Sequence, residues 1–227
     1  MSKIRAIFFD LDNTLVDFTQ MKRESCRAAV QEMISFGLKM NANEAYALLM
    51  QTYSKLGLES DIAFTQFLKD NNQFDHKILA AAINKYLETK RNFVKPYPKV
   101  KPTLQELKTR RLMMSIVTDA PKTKAYQRLI HMGIDEYFHF VVGFEDTESE
   151  KREGLPMKFA IKKLDEEFPN LPNSEVLMVG DSMARDVNPA KQLGLRTALA
   201  KYGQQLQEET GTPDYVLNEF SDILKII

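Results

Sequence analysis

Short apolar runs that each stop at a polar residue punctuate the chain. Ala6-Ile7-Phe8-Phe9 ends at Asp10, Met114-Ser115-Ile116-Val117 at Thr118, and Val176-Leu177-Met178-Val179 at Gly180-Asp181. Runs of this length without strict polar alternation mark strands buried on both faces, as in parallel sheets. Phe140-Val141-Val142, Arg196-Thr197-Ala198-Leu199 and Tyr215-Val216-Leu217 extend the series. Between the runs, helical spacing covers 103–110, 122–132, 156–168 and 184–193, with Gly133 and Gly194 as stops after the second and the last. Strand alternating with helix predicts an α/β fold, a doubly wound, Rossmann-like parallel sheet.

The alternation breaks between residues 17 and 95, where the spacing predicts four helices and no strand. The first covers 19–36 and stops at Gly37; the second starts at Asn41, with Glu44 at capping-box distance, and stops at Gly57. The others begin near Ser60 and Asp75. Ala45, Leu48, Leu49, Tyr53 and Leu56 line one helix face, and Ile78, Leu79, Ala82, Ile83 and Tyr86 another, as the core of a helical bundle requires. Pro96-Tyr97-Pro98 stiffens the return. The expected organisation is an α/β core of 1–16 and 96–227 with a helical insertion over 17–95.

The 227 residues, 44% of them hydrophobic and 27% charged, exclude disorder and collagen-like structure. Lys and Arg number 31, as do Asp and Glu, so no whole-surface field recruits nucleic acid or anionic lipid, and neither partner is expected. No apolar run approaches the ~20 residues that span a bilayer. Met1-Ser2-Lys3-Ile4-Arg5 leads directly into the first strand without an apolar signal core, so the expectation is a cytoplasmic protein, a monomer or homodimer. The single cysteine, Cys26, lies in a helical stretch and reads as a packing residue.

Ligands of open parallel sheets bind outside the carboxyl ends of the strands, where Asp10, Asp12, Thr118 and Asp181 fall. Asp10 and Asp12 are two residues apart, on the same side of extended backbone. Asp181 and Asp186 add a second pair. Four carboxylates in one cleft repel one another unless a hard cation joins them, and Mg²⁺, an oxygen-seeking ion that keeps waters and substrate phosphate, fits such a set. The three histidines, His76, His131 and His139, have no ligand spacing that would favour zinc.

Asp10-Leu11-Asp12-Asn13-Thr14-Leu15, Val117-Thr118 and Gly180-Asp181-Ser182-Met183-Ala184-Arg185-Asp186 stand in the order and at the strand ends of three motifs of the haloacid dehalogenase superfamily. From about Ile4 to Gly203 the chain resembles that superfamily's Mg²⁺-dependent phosphatase branch, and the insertion occupies the place of its C1 helical cap. The resemblance implies a phosphomonoester hydrolase of a small phosphorylated metabolite. Asp10 would be the nucleophile that forms an aspartyl-phosphate, and Asp12 the acid and base. Mg²⁺ would be held by Asp10, the Asp12 backbone carbonyl and Asp181, with Asp186 as a ligand or a supporting acid. Thr118 and the backbone around Asp119 would bind the phosphoryl group. The family's third motif, usually Lys-Pro, has no direct match; Lys151 is preferred over Lys158 for neutralising phosphate. Asp119 departs from the asparagine frequent in related enzymes, which puts an extra acid near the phosphate. Lys22 and Arg23, early in the insertion, are candidate contacts to an anionic substrate.

Other chemistries share parts of this constellation. A dehalogenase of the same fold needs neither Asp12 nor a metal; a phosphonatase would use a cap lysine such as Lys22; a sugar phosphomutase would return the phosphoryl group to its substrate. A receiver-type phosphoacceptor module, a signalling protein, would have no helical insertion between its first two strands.

Overall fold

The computed structural model describes residues 3–205 and 210–227; Met1 and Ser2, at the head of the segment considered above for a leader, and 206–209 lie outside the described residues. Two compact units are present, one of Met1–Asp17 with Lys95–Ile227 and one of Phe18–Val94.

The first unit is built on a parallel sheet. Among the described residues it has six strands, β1 (Ala6–Phe9), β2 (Met113–Val117), β3 (Val141–Val142), β4 (Val176–Gly180), β5 (Arg196–Ala200) and β6 (Tyr215–Leu217), in the order β3-β2-β1-β4-β5-β6. β1 lies between β2 and β4 in matched register, Ala6 opposite Met113 on one side and Val176 on the other. The strand order therefore reverses at β1, the switch point where the crossovers open a crevice. Burial on both faces explains the unbroken apolar runs, since every residue of β1, β2 and β4 is buried. Phe8 packs 6.2 Å from Phe140 and Phe9 lies 5.6 Å from Phe220, ring centre to ring centre. Burying a side chain of this size contributes about 1.5–3 kcal/mol.

The second unit contains α1 (Phe18–Ser35), α2 (Ala42–Leu56), α3 (Ala63–Asp70) and α4 (His76–Phe93). Cys26, Ala29, Met33, Leu49, Phe67 and Ala82 belong to its buried core, so the thiol is a packing group, pushed up to about 11 chiefly by that burial. Asn41 and Asp75 cap α2 and α4 through side-chain oxygens that accept backbone N–H bonds. α3 begins at Ala63, a little after the expected start near Ser60.

In the first unit the remaining helices are α5 (Val100–Thr109), α6 (Lys122–Met132), α7 (Leu155–Glu167) and α8 (Asn188–Gln192). The helix expected over 184–193 is present, but not as one regular α-helix. Met183–Val187 is a π turn, and only then does α8 follow. Pro189 supplies the reason: it has no N–H for a bond to the carbonyl of Arg185, and its ring crowds that carbonyl. None of the helices among the described residues is long and apolar enough to cross a membrane.

Candidate active site

At the carboxyl end of β1 the Asp10 N–H donates to the Val179 carbonyl at 2.9 Å, which fixes the first acid against β4. The loop that follows is tight. Leu15 N donates to the Leu11 carbonyl at 2.9 Å, Asn13 takes a left-handed φ of 59°, and Tyr202 Oη donates to the Thr14 carbonyl at 2.8 Å. Gly203 lies so close to the Asn13 carbonyl that any Cβ there would overlap it. The first acidic motif is thus held at Asn13 and Thr14 by Gly203 and Tyr202.

Asp181 and Asp186 come from the end of β4 and the π turn. Ser182 starts that turn: its carbonyl accepts from Asp186 N at 3.0 Å and from Val187 N at 3.2 Å, while its hydroxyl accepts from Arg185 N at 3.2 Å. The extra residue of a π turn changes which side chains face inward, a device common at functional sites. Asp186 is completely buried, and its Oδ2 accepts from Ser182 N at 3.0 Å. Gly180 makes the room, because a Cβ at that position would collide with the Asp186 carboxyl. The Gly-Asp of the motif therefore has a steric cause.

Lys151 is 1% exposed, and its Nζ donates to Asp10 Oδ1 and, at 2.5 Å, to Asp186 Oδ1. Lys158 is exposed on α7. The missing Lys-Pro has a local explanation: Lys151–Glu153 form a separate turn, Gly154 breaks it at φ +80°, and Pro156 opens α7. At β2, Thr118 is 2% exposed, and its hydroxyl accepts from Ala120 N at 3.2 Å. Asp119 Oδ1 accepts from Lys151 N at 2.7 Å, tying β2 to the lysine turn.

Asp12 is held differently. Its Oδ2 accepts from Arg128 Nη2 at 3.0 Å. Arg128 is 1% exposed although it is charged, and sequence reasoning missed it. A signal existed: Ala125, Arg128, Leu129 and Met132 make up the buried face of α6, so the arginine occupies a core position at helical spacing. Arg128 is the buried partner and Asp12 the half-buried one, so removing the acid leaves a buried guanidinium without its counter-charge. Lys22 and Arg23 lie on α1 in the helical unit. Lys22 has partners that its sequence position did not announce, with Nζ 3.4 Å from the centre of the Tyr53 ring and 3.1 Å from Tyr86 Oη, and Arg23 pairs with Glu24 at 2.8 Å.

One oxygen each from Asp10, Asp181 and Asp186 lies within 4.8 Å of the others. Burial first, and then the charges of Asp10 and Asp186, push Asp181 up to about 8. Asp186 is pushed up to about 6 by burial, with Lys151 opposing and Asp10 adding. Burial works against the charge of Lys151, yet Asp10, Asp186 and Asp119 outweigh it and hold the amine above its ordinary range. Asp181 Oδ1 is buried and has no hydrogen-bond partner. An all-oxygen set with an unmatched buried acceptor fits a divalent cation such as Mg²⁺.

That fit has a pH signature. In the metal-free protein Asp181 and Asp186 keep protons at pH values where an unfolded aspartate, at about 3.9, has lost them. Their contribution to stability is complete below that value and is lost as pH rises through about 6 and about 8. Mg²⁺ competes with the same protons, so its gain in melting temperature is expected to grow between about pH 5 and about pH 8. At 100 times the dissociation constant the gain corresponds to about 2.7 kcal/mol. A gain that is flat, or larger in acid, would take the three acids out of the cation site.

A family model for haloacid dehalogenase-like hydrolases matches residues 7–200. The chain belongs to this family. Among its haloacid dehalogenase-like relatives, a glyceraldehyde 3-phosphate phosphatase of Pyrococcus furiosus is 29% identical, the match covering 100% of this chain and 94% of that one. A phosphoglycolate phosphatase of Aquifex aeolicus is 27% identical over 99% of this chain and 97% of its own. In structure, the HAD-hydrolase YfnB of Bacillus subtilis, solved bound to magnesium, superposes with a TM-score of 0.70 at 17% identity and covers 99% of each chain. The haloacid dehalogenase-like fold thus accounts for the α/β sheet and its strand order.

Proposed function

We propose that the protein is a Mg²⁺-dependent phosphomonoesterase that hydrolyses a small soluble phosphate ester through an aspartyl-phosphate on Asp10. The observation that carries the reading is the placement of Asp10 at the switch point of the sheet, against Lys151 and within the buried acid triad. Relatives named for two- and three-carbon phosphates support a substrate of that size. The zero net charge supports free metabolites rather than nucleic acid or membrane as the source of substrate.

Asp10 attacks phosphorus, and the bond from phosphorus to the ester oxygen breaks. Asp12 gives its proton to the departing alkoxide, then takes one from the water that attacks the aspartyl-phosphate. The bond from phosphorus to Asp10 breaks, orthophosphate leaves, and both carboxyl groups return to their starting states. Lys151 holds Asp10 in place, and its charge together with the Thr118 hydroxyl receives the phosphoryl oxygens. Asp10, Asp181 and Asp186, with the Asp12 carbonyl, would hold Mg²⁺, which when bound neutralises charge on the phosphoryl oxygens. The helical unit 18–94 takes the part of the family's cap, the segment that selects the substrate.

The test is phosphate release from a panel of phosphomonoesters that includes glyceraldehyde 3-phosphate and phosphoglycolate, with Mg²⁺ and with EDTA. Release that needs the metal and ranks the panel by kcat/KM is expected. A folded protein that releases phosphate from no ester would overturn the reading.

A further inference from the structure

Arg185 stands where the π turn faces the phosphoryl side of the site. Its Nη1 is 4.0 Å from Asp119 Oδ2 and its Nη2 is 3.9 Å from Asp181 Oδ1, with 44% of the side chain exposed. Neither contact is a hydrogen bond. The guanidinium is held between the two acids by charge alone, and its N–H donors are uncommitted to either. Asp119 meanwhile spends one oxygen on Lys151 N at 2.7 Å, a bond that an asparagine would make equally well. Its negative charge is therefore surplus to that structural duty, and it sits next to Thr118, where a phosphate dianion has to bind.

Charge balance shows the consequence. Apart from the Asp12–Arg128 pair, the acids gathered here are Asp10, Asp119, Asp181 and Asp186, and the cations are Lys151 and Arg185. A divalent cation brings that set to neutrality, whereas without Arg185 the loaded site stays negative. We infer that Arg185 is the counter-charge to Asp119, and that this pair sets the affinity of the site for phosphate. The inference rests on the phosphatase reading and names a positioning residue for it. Because the contacts are Coulombic and near 4.0 Å, a lysine at 185 can serve as well as the planar fork of arginine.

Calorimetric binding of inorganic phosphate in saturating Mg²⁺ tests the pair, alongside KM and kcat for the best ester. Arg185→Ala is expected to weaken phosphate binding and raise KM by about 10-fold, with kcat changed by less than about 3-fold. Arg185→Lys should stay within about 3-fold of wild type, and adding Asp119→Asn to Arg185→Ala should restore most of the loss. Mg²⁺ binding without phosphate, followed by thermal shift, should tighten in Arg185→Ala, because a cation near Asp181 has been removed. Damage to the fold would weaken both ligands. Phosphate affinity that ignores Arg185, or an Asp119→Asn change that restores nothing, overturns the pair while wild-type turnover leaves the phosphatase reading standing. A wild-type protein that neither binds phosphate nor releases it from esters overturns both.

Discussion

Asp10→Asn is expected to abolish phosphate release, by at least about 10⁴-fold in kcat, while the protein stays folded. The carboxylate is nearly the same size as the amide, and the Asp10 backbone keeps its bond to Val179 at 2.9 Å, so β1 and its loop have no reason to move. What disappears is the second anionic oxygen that would attack phosphorus. The substitution also removes one charge from a buried triad whose members lie within 4.8 Å of one another. Repulsion on Asp181 falls, and its raised pKa should move back toward the ordinary carboxylate range. Lys151 loses one partner but keeps Asp186 at 2.5 Å. These effects oppose each other, so the melting temperature in EDTA should change by only about 1 kcal/mol or less in equivalent stability, about 2–4 °C. The measurement is phosphate release by freshly purified variant beside thermal unfolding. Activity at the level of a few per cent in a folded sample would take the nucleophile's role away from Asp10.

The parts of this site that the sequence announces are those set by strand burial. Unbroken apolar runs locate β1, β2 and β4, and the first polar residue after each, Asp10, Thr118 and Asp181, is where the sheet ends. Their convergence follows from parallel topology alone. Lys151 was legible only through its distance from the next helix, because the turn over Lys151–Glu153 replaces the expected proline. Arg128 and Asp12 are 116 residues apart, and no spacing rule reaches that far. The position of Arg185 depends on the π turn, which hydrophobic periodicity reads as continuous helix; Pro189 was the only local warning. Lys22 shows the same limit in the helical unit. A lysine on an early helix reads as a solvated cation, yet here two tyrosines surround its amine, and burial of Tyr53 raises the phenol pKa.

Lys151→Ala is expected to lose activity far more than Lys158→Ala, and to lose stability with it. The two lysines are seven positions apart in a chain whose third motif is irregular, so the comparison decides which one belongs to the site. Lys151 is 1% exposed and donates to both Asp10 and Asp186. Its removal leaves two buried carboxylates without their cation, a change that costs about 3–5 kcal/mol for a buried pair. For a chain of this size that is a fall of about 6–20 °C in melting temperature. Part of the loss should return with Mg²⁺, since a divalent ion at the triad supplies positive charge to the same oxygens. Catalysis should not return with it, because the cation that would steady Asp10 in the proposed attack is gone; a fall of at least about 10²-fold in kcat is expected. Lys158 is exposed on α7, and its loss should stay within about 0.5 kcal/mol and leave turnover near wild type. Thermal unfolding with and without Mg²⁺, beside kcat for both variants, separates the roles. The opposite ranking would move phosphate neutralisation to Lys158 and leave Lys151 as a structural counter-ion of the acids.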